Sequence, residues 1–226
     1  MYQKIKLAIA AAGTLLGVAT LHANPAQAAI VNFSEFSEGQ IVTDETTDQG
    51  VTFSVSPEGN SSRELMIFDS TCDGGPASNC TGGDDDLFFE NQFGNVLIIS
   101  EDNDSTDPDD SVDGGLITFH FPQAIFLKSI AYLDGDENTP ATFTTFNGNT
   151  QVDSLSDVGA GDNQFITVDG FSNTKVTRLE VDLPGSGAID DVTYAVPEPL
   201  TILGSSMALG FGALFKKQQS KKQKKN

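Results

Sequence analysis

The residues best suited to chemistry are carboxylates crowded into residues 101–114, which read Glu-Asp-Asn-Asp-Ser-Thr-Asp-Pro-Asp-Asp-Ser-Val-Asp-Gly. Calcium is a hard cation that takes about six to eight oxygen ligands from carboxylates, carbonyls and water. Asp102 and Asp104 have the spacing that begins an EF-hand, but Thr106 and Asp107 follow where the motif needs another ligand and then glycine. The pattern excludes an EF-hand. It predicts looser calcium binding by Asp102, Asp104 and Asp107, and the alternative is a solvated loop.

A second set of acids lies at the two ends of the domain. Glu35 in the first predicted strand, and Asp190 in the last, alternate in step with apolar residues. If these two strands pair antiparallel, both carboxylates point inward and meet at one rim. A buried carboxylate needs a partner and bases are scarce, so we predict calcium held by Glu35 and Asp190, with Asp191 beside them. The alternative is that the acids lie in water or accept hydrogen bonds from backbone amides.

No catalytic residues are predicted. The chain has no Gly-x-Ser-x-Gly, His-Glu-x-x-His or phosphate-loop motif, and a lone strand histidine such as His120 is usually a surface residue. We therefore predict a non-enzymatic protein, and a carboxylate pair for glycoside hydrolysis stays open as the alternative. Because the chain has no Trp, stacking on sugars would fall to Phe88, Phe89 and Phe93, which could instead pack in the core.

The two cysteines, Cys72 and Cys80, are predicted to form a disulfide. An even number of closely spaced cysteines in an exported chain favours a disulfide. A redox or metal site is less favoured, because the spacing is not Cys-x-x-Cys and no histidine is nearby.

Strands must position these side chains, because no long stretch has helical periodicity. Short runs of β-branched and aromatic residues recur between Gly, Asp, Asn and Pro, and many alternate between apolar and polar positions. We predict an all-β fold of two antiparallel sheets packed face to face, a sandwich or jelly roll with a Phe-rich core. The predicted strands are Ile30–Phe36, Gly50–Val55, Glu64–Phe68, Leu87–Glu90, Asn95–Ser100, Gly115–Phe121, Ile125–Leu133, Ala141–Phe146, Gln164–Asp169, Lys175–Leu183 and Gly187–Ala195.

The negative charge of the predicted mature domain limits the classes of partner that it can bind. All 32 acidic residues lie between residues 29 and 199, where the bases are Arg63, Lys128, Lys175 and Arg178. Such a surface repels nucleic acid and anionic membranes, and it suits cations or neutral partners such as sugars. The alternative is a solvated acidic surface with no specific ligand.

The N-terminus has the features of a secretory signal peptide, residues 1–28. Lys4 and Lys6 precede the apolar run Leu7–Leu21, and Ala26-Gln27-Ala28 is a small-x-small cleavage site. We predict export by the Sec machinery and a mature domain spanning residues 29–195.

The C-terminus, residues 196–226, has three parts. Val196, Pro197, Glu198 and Pro199 precede an apolar run, residues 200–215, and a lysine-rich tail, residues 216–226. The run would form a helix about 24 Å long, slightly short for a hydrocarbon core of about 30 Å, and the lysines would stay cytoplasmic. An ordinary tail anchor is the alternative to a sorting signal.

These C-terminal residues resemble the PEP-CTERM sorting signal of exported bacterial proteins. The resemblance covers the motif, the transmembrane helix 200–215 and the basic tail 216–226. It implies that an exosortase cuts at the motif and releases or transfers the outer domain.

Two further segments resemble the opening and closing strands of jelly rolls like those of carbohydrate-binding modules. They are Val-Asn-Phe-Ser-Glu-Phe-Ser-Glu-Gly, from Val31, and Ala-Ile-Asp-Asp-Val-Thr-Tyr, from Ala188. This resemblance implies that the closing Asp helps hold a structural calcium. We expect a surface-sorted binding or scaffolding protein of the extracellular polysaccharide matrix or cell surface. The alternatives are a secreted polysaccharide hydrolase and an acidic matrix protein that sequesters cations.

Overall fold

The computed structural model describes residues 27–59, 62–71, 87–89, 92–135, 140–161 and 163–197. These residues form an antiparallel β-sandwich with one 3₁₀ turn, Phe33–Glu35, which confirms the predicted fold class. The strands are β1 Gln27–Val31, β2 Thr52–Pro57, β3 Leu65–Asp69, β4 Asn95–Ile99, β5 Gly115–Leu133, β6 Ala141–Asn147, β7 Thr150–Val158, β8 Phe165–Val168, β9 Val176–Leu183 and β10 Ala188–Val196.

Strand β5 belongs to both sheets. Its first part, Gly115–His120, pairs with β2 and β9, and its last part, Phe126–Leu133, pairs with β10 and β8. Sheet A is thus β3-β4-β10-β5-β8, with β1 also on β10, and sheet B is β2-β5-β9-β6-β7. The sequence predicted two strands here because Pro122 interrupts the pattern. Proline is tolerated in the strand because the register with β9 shifts between His120 and Ile125.

The space between the sheets is filled mainly by aliphatic side chains and phenylalanines. Phe53 contacts Phe33 and Phe119 at ring-centroid distances of 5.6 and 5.5 Å, and Tyr132 contacts Phe143 at 5.7 Å. All five rings are almost completely buried. The predicted alternation holds along β5, so the Phe-rich core is confirmed.

Sheet A is also covered on its outer face by a second apolar cluster. Met66, Phe68, Val96 and Ile98 from β3 and β4 contribute to this cluster, with Ala131, Leu133 and Ala188. Leu87, Phe89 and Phe93, from the segment before β4, pack over it. The strand predicted at Leu87–Glu90 was wrong for its described part, Leu87–Phe89, because these side chains cover a sheet face without joining a ladder.

Two other predictions about strands were wrong. The first strand ends at Val31, and the 3₁₀ turn takes the place of its predicted second half. Strand β7 was not predicted, because this edge strand carries polar residues on both faces and lacks the apolar alternation that marks a half-buried strand.

The acidic loop 101–114 is an ordered set of turns in which carboxylates accept backbone N–H groups. Asp102 accepts the amide of Asp104 at 2.9 Å, and Asp104 accepts that of Thr106 at 2.9 Å. Asp110 is buried and accepts hydrogen bonds from the Ser186 hydroxyl and the Gly187 amide. The loop is therefore anchored to the β9–β10 connection.

Several predicted features lie outside the described residues. They are Cys72 and Cys80, most of the signal peptide 1–28, Glu198 and Pro199, the apolar run 200–215 and the basic tail. Across the ranges that are described, no helix is long and apolar enough to cross a membrane.

Candidate functional site

A β-bulge in β10 shapes the region around Asp190 and Asp191. Asp190 pairs with Ala131 of β5, but the next pair joins Thr193 to Ser129, so β10 has one extra residue between them. Asp191 adopts a left-handed conformation with φ 47°, which is sterically accessible to Asp more readily than to most side chains.

The bulge changes the face on which Asp190 lies. Val192 and Tyr194 belong to the core between the sheets, whereas Ala131, opposite Asp190, belongs to the outer cluster. Directly opposed residues of an antiparallel pair share a face, so Asp190 lies with Ala131. The prediction that Asp190 is buried is confirmed, because the residue is 1% exposed. Its predicted parity was wrong because the extra residue resets the alternation.

Asp190 is costly to ionise in the folded protein, because its carboxyl is buried. Its Oδ1 has no hydrogen-bond partner. Burial, with a smaller contribution from the charge of Asp191, raises the pKa of Asp190 to about 8, and the backbone amide of Asp191 offsets part of the rise. Burial also raises the pKa of Asp191, although this residue remains solvent-exposed. The two adjacent carboxyls thus occupy different environments.

Glu35 lies apart from this environment. It is exposed in the 3₁₀ turn, and its Oε2 accepts a hydrogen bond from the Asp48 amide at 2.9 Å. The prediction that it points inward was wrong, because the turn breaks the alternation of a strand. The first and last strands do pair antiparallel, with Val31 opposite Val192, so the condition set for this site is met although Glu35 does not point inward.

Asp102, Asp104 and Asp107 are all exposed. Hydrogen bonds from the hydroxyl and the amide of Thr106 lower the pKa of Asp104. No group of three or more His, Cys, Asp or Glu residues suited to a metal occurs in the described part of the chain. Calcium binding therefore stays a prediction, both at this loop and at Asp190 and Asp191.

A groove lies on the outer face of sheet A, next to the bulge. It begins as a depression of about 400 Å³. Three adjacent strands line it with short side chains: Ser129 and Ala131 of β5, Thr167 of β8, and Asp191 and Thr193 of β10. The remaining lining residues are Gln92, Phe93 and Phe165. Because Ala131 lines the groove and pairs with Asp190, the buried carboxyl lies beside the groove floor.

Three aromatic rings form one wall. Phe93 and Phe165 meet at a centroid distance of 4.9 Å, and Phe89 contacts them at 5.7 and 6.0 Å respectively, all edge to face. Phe89 is buried, whereas Phe165 is 42% exposed. Each ring packs against the other two, so the exposed Phe165 is held in place by its neighbours.

A second depression, of about 460 Å³, adjoins the first. The residues that line it are Phe88, Phe89, Gln92, Asn163, Gln164 and Phe165. Gln92 and Phe165 line both depressions, so the two lie side by side, and both together are called the groove. In the described part of the chain, its walls offer hydroxyls, side-chain amides, aromatic rings and one carboxylate, that of Asp191, a set suited to an uncharged polar ligand.

The sequence pointed to only part of this groove. Phe88, Phe89 and Phe93 were considered for sugar contact, and Asp191 for metal binding. The other lining residues were missed, because they come from separate strands and turns that only the fold brings together. The strand residues Ser129, Thr167 and Thr193 carry one signal, a polar outward position next to a buried one, which many surface residues share.

The sorting motif lies at the end of the sandwich. Val196 is the last residue of β10, where it pairs with Gln27, and Pro197 follows the strand. Glu198 and Pro199 are outside the described residues, so processing at the motif stays a prediction.

Comparison with known proteins assigns no family. No family model matches the chain, and no curated protein matches it. Among solved structures it is similar to the K2 cleaved adhesin domain of Lys-gingipain, with TM-score 0.43 and 9% identity over 75% of this chain and 98% of that one. It is also similar to a family 29 carbohydrate-binding module complexed with mannohexaose, with TM-score 0.33 and 10% identity over 75% and 92%. Discoidin II of Dictyostelium discoideum gives TM-score 0.31 and 13% identity over 61% and 56%. We infer no function from likenesses this distant.

The burial of Asp190 predicts a specific dependence of stability on pH. Its pKa is raised in the folded state, so the folded protein binds more protons than the unfolded chain between about pH 4 and pH 8, and stability falls as pH rises through that window. In thermal melts with EDTA, Asp190→Asn should remove this loss of stability. Near pH 8 we therefore expect the free energy of unfolding of the variant to exceed that of the wild type by several kcal/mol. Asp102→Asn, at an exposed acid, should follow the wild-type curve. Parallel curves for wild type and Asp190→Asn from pH 4 to 9 would contradict the prediction.

Proposed function

We propose that this chain is an exported, surface-sorted, non-enzymatic binding or scaffolding protein of the extracellular polysaccharide matrix or cell surface. We place its ligand site in the groove of sheet A. The observation that carries this proposal is the groove itself, where an exposed aromatic side chain stands beside hydroxyl and amide side chains on a rigid sheet.

The chemistry of the lining favours sugars over other ligands. Apolar patches of ring C–H groups can pack on Phe165, and sugar hydroxyls can both donate to and accept from Ser129, Thr167 and Gln92. The 32 acidic residues disfavour anionic ligands, including nucleic acid, by repulsion.

The hydrolase alternative has less support. Glycoside hydrolysis needs two carboxyls on opposite sides of the scissile bond, about 5 to 10 Å apart. Asp191 is the one carboxylate among the described residues that line the groove, and Asp190 lies buried beside the floor. The third class, a polyanion that sequesters cations, is supported by the exposed acids of loop 101–114 but gives the groove no role.

Affinity electrophoresis in gels containing soluble β-glucan, mannan, xylan or dextran tests the binding proposal. We expect at least one neutral polymer to retard the purified 29–195 domain, and Phe165→Ala to weaken that binding about tenfold, or about 1.4 kcal/mol. Phe146→Ala is the matched control, because that ring packs against Arg178 on sheet B. Equal losses in both variants, or no retardation by any polymer, would refute the proposal.

We also propose that the chain is exported by the Sec machinery and is then held by residues 200–215 until an exosortase cuts at Val196–Pro199. Support comes from the sequence at both ends. Mass spectrometry of the protein recovered from the producing cells should show loss of residues 1–28 and of the tail after the motif. An extracellular protein that still ends at Asn226 would show that the motif is not a cleavage signal.

We further propose that calcium stabilises the domain at Asp190 and Asp191. Support comes from the buried Oδ1 without a hydrogen-bond partner and from the scarcity of bases to neutralise it. In melts at pH 8, calcium should raise the melting temperature of the wild type and raise that of Asp190→Asn much less. Asp104→Asn should respond like the wild type if the loop 101–114 holds no stabilising ion. Equal calcium responses in the wild type and Asp190→Asn would rule out this site.

A further inference from the structure

We infer that the ligand of the groove is a linear, neutral glycan of several units that lies across Phe165 and occupies both depressions at once. This inference rests on the proposed function, and it adds the length and the charge class of the ligand. A single sugar or a chain end bound in one depression is the outcome that it excludes.

The first argument is that the two depressions are neighbours. Phe165 and Gln92 line both of them, so one ring and one amide form the boundary that the depressions share. The depressions measure about 400 and 460 Å³. Either volume alone lies near the lower end of the range for ligand pockets, about 300 to 1,000 Å³, and the two together approach the upper end.

The second argument is the distance that the groove spans. Across the sheet, it extends from Thr193 on β10 over β5 to Thr167 on β8, which is two inter-strand steps or about 10 Å. Along β8 it continues from Thr167 to Phe165, about 7 Å at the rise of a strand, and then past the start of the strand to Gln164 and Asn163. A ligand that touches both ends must therefore be an extended chain.

The third argument is the placement of aromatic and polar groups. Phe165 is exposed at the middle of the groove and is held by Phe89 and Phe93 at 6.0 and 4.9 Å. The polar groups lie on either side of it, hydroxyls in the first depression and the amides of Asn163 and Gln164 in the second. A central ring contact with polar contacts at both ends fits the middle of a chain better than its terminus.

The fourth argument concerns charge. Asp191 is the one charged residue among the described residues that line the groove, and an ionised carboxylate only accepts hydrogen bonds. It therefore requires donor hydroxyls from the ligand and repels carboxylate or sulfate groups. The amides of the second depression donate and accept equally. Uronic acid and sulfated units are thereby disfavoured in the first depression.

The test uses titration calorimetry of the purified protein with two probe series, cellobiose to cellohexaose and mannobiose to mannohexaose. Alginate and dextran sulfate serve as acidic probes. For at least one series we expect the affinity to rise at least tenfold from the disaccharide to the hexasaccharide, and we expect no binding of the acidic polymers.

Variants with one altered depression locate the two contacts. Thr193→Val alters only the first and Gln164→Ala only the second, and each should weaken the hexasaccharide about three- to tenfold. A disaccharide should respond to one of these changes and not to both. Thr118→Val, on the outward face of sheet B, is the matched control and should change nothing. Circular dichroism and melting curves show whether each variant is folded.

The outcomes separate this inference from the proposed function. If a series binds with the same affinity at every length, or if Gln164→Ala leaves the hexasaccharide unaffected, the two-depression inference is overturned while polysaccharide binding stands. Binding only to the acidic polymers overturns the neutral class. If the wild type binds none of the probes and no polymer in the gels, both proposals fail.

Discussion

The structure depends on the hydrogen bonding of β5, because this one strand holds together both sheets. Its first part pairs with β2 and β9 and its last part with β10 and β8. Between them, the register shift near Pro122 lets the chain pass from one sheet to the other. Since a single strand sets the position of both sheets, the packing of Phe119 and Tyr132 in the core fixes which face of the last part points outward. That outward face carries Ser129 and Ala131, and it is the floor of the groove.

The groove exists because sheet A is buried on two faces over part of its area. The side chains of Leu87, Phe89 and Phe93 cover outward side chains of β3, β4 and β10, and Phe93 lines the groove together with Ser129 and Thr193. Phe165 of β8 packs against Phe89 and Phe93 at the edge of this apolar cover. An apolar cluster on one part of the sheet face therefore forms a wall of the groove, and the polar side chains on the neighbouring part form its floor.

The high negative charge is accommodated with little ion pairing. Among the described residues two ion pairs form, Arg63 with Asp113 and Arg178 with Glu180. Many other carboxylates accept backbone N–H groups in turns, as Asp104 does, or stay in water. Asp190 is the exception, because its Oδ1 is buried and has no hydrogen-bond partner. Burial raises the pKa of this carboxyl to about 8, so its protonation favours the folded state.

The sequence by itself determined the all-β antiparallel fold and the Phe-rich core. Each follows from alternation of apolar residues over short runs, such as Ile117 to Phe121, where burial of one face dominates local structure. Sequence also predicted that Asp190 is buried, although it assigned the wrong face.

Only the tertiary structure decided where the alternation breaks and what that brings together. The 3₁₀ turn turns Glu35 to the solvent, and the bulge at Asp191 moves Asp190 to the other side of the sheet. A one-residue change in register reverses every side chain beyond it, and a local pattern does not record such a change. For the same reason the groove could not be read from the sequence. Phe93, Ser129, Phe165 and Thr193 come from four distant segments, and only the pairing of β8, β5 and β10 under one apolar cover makes them neighbours.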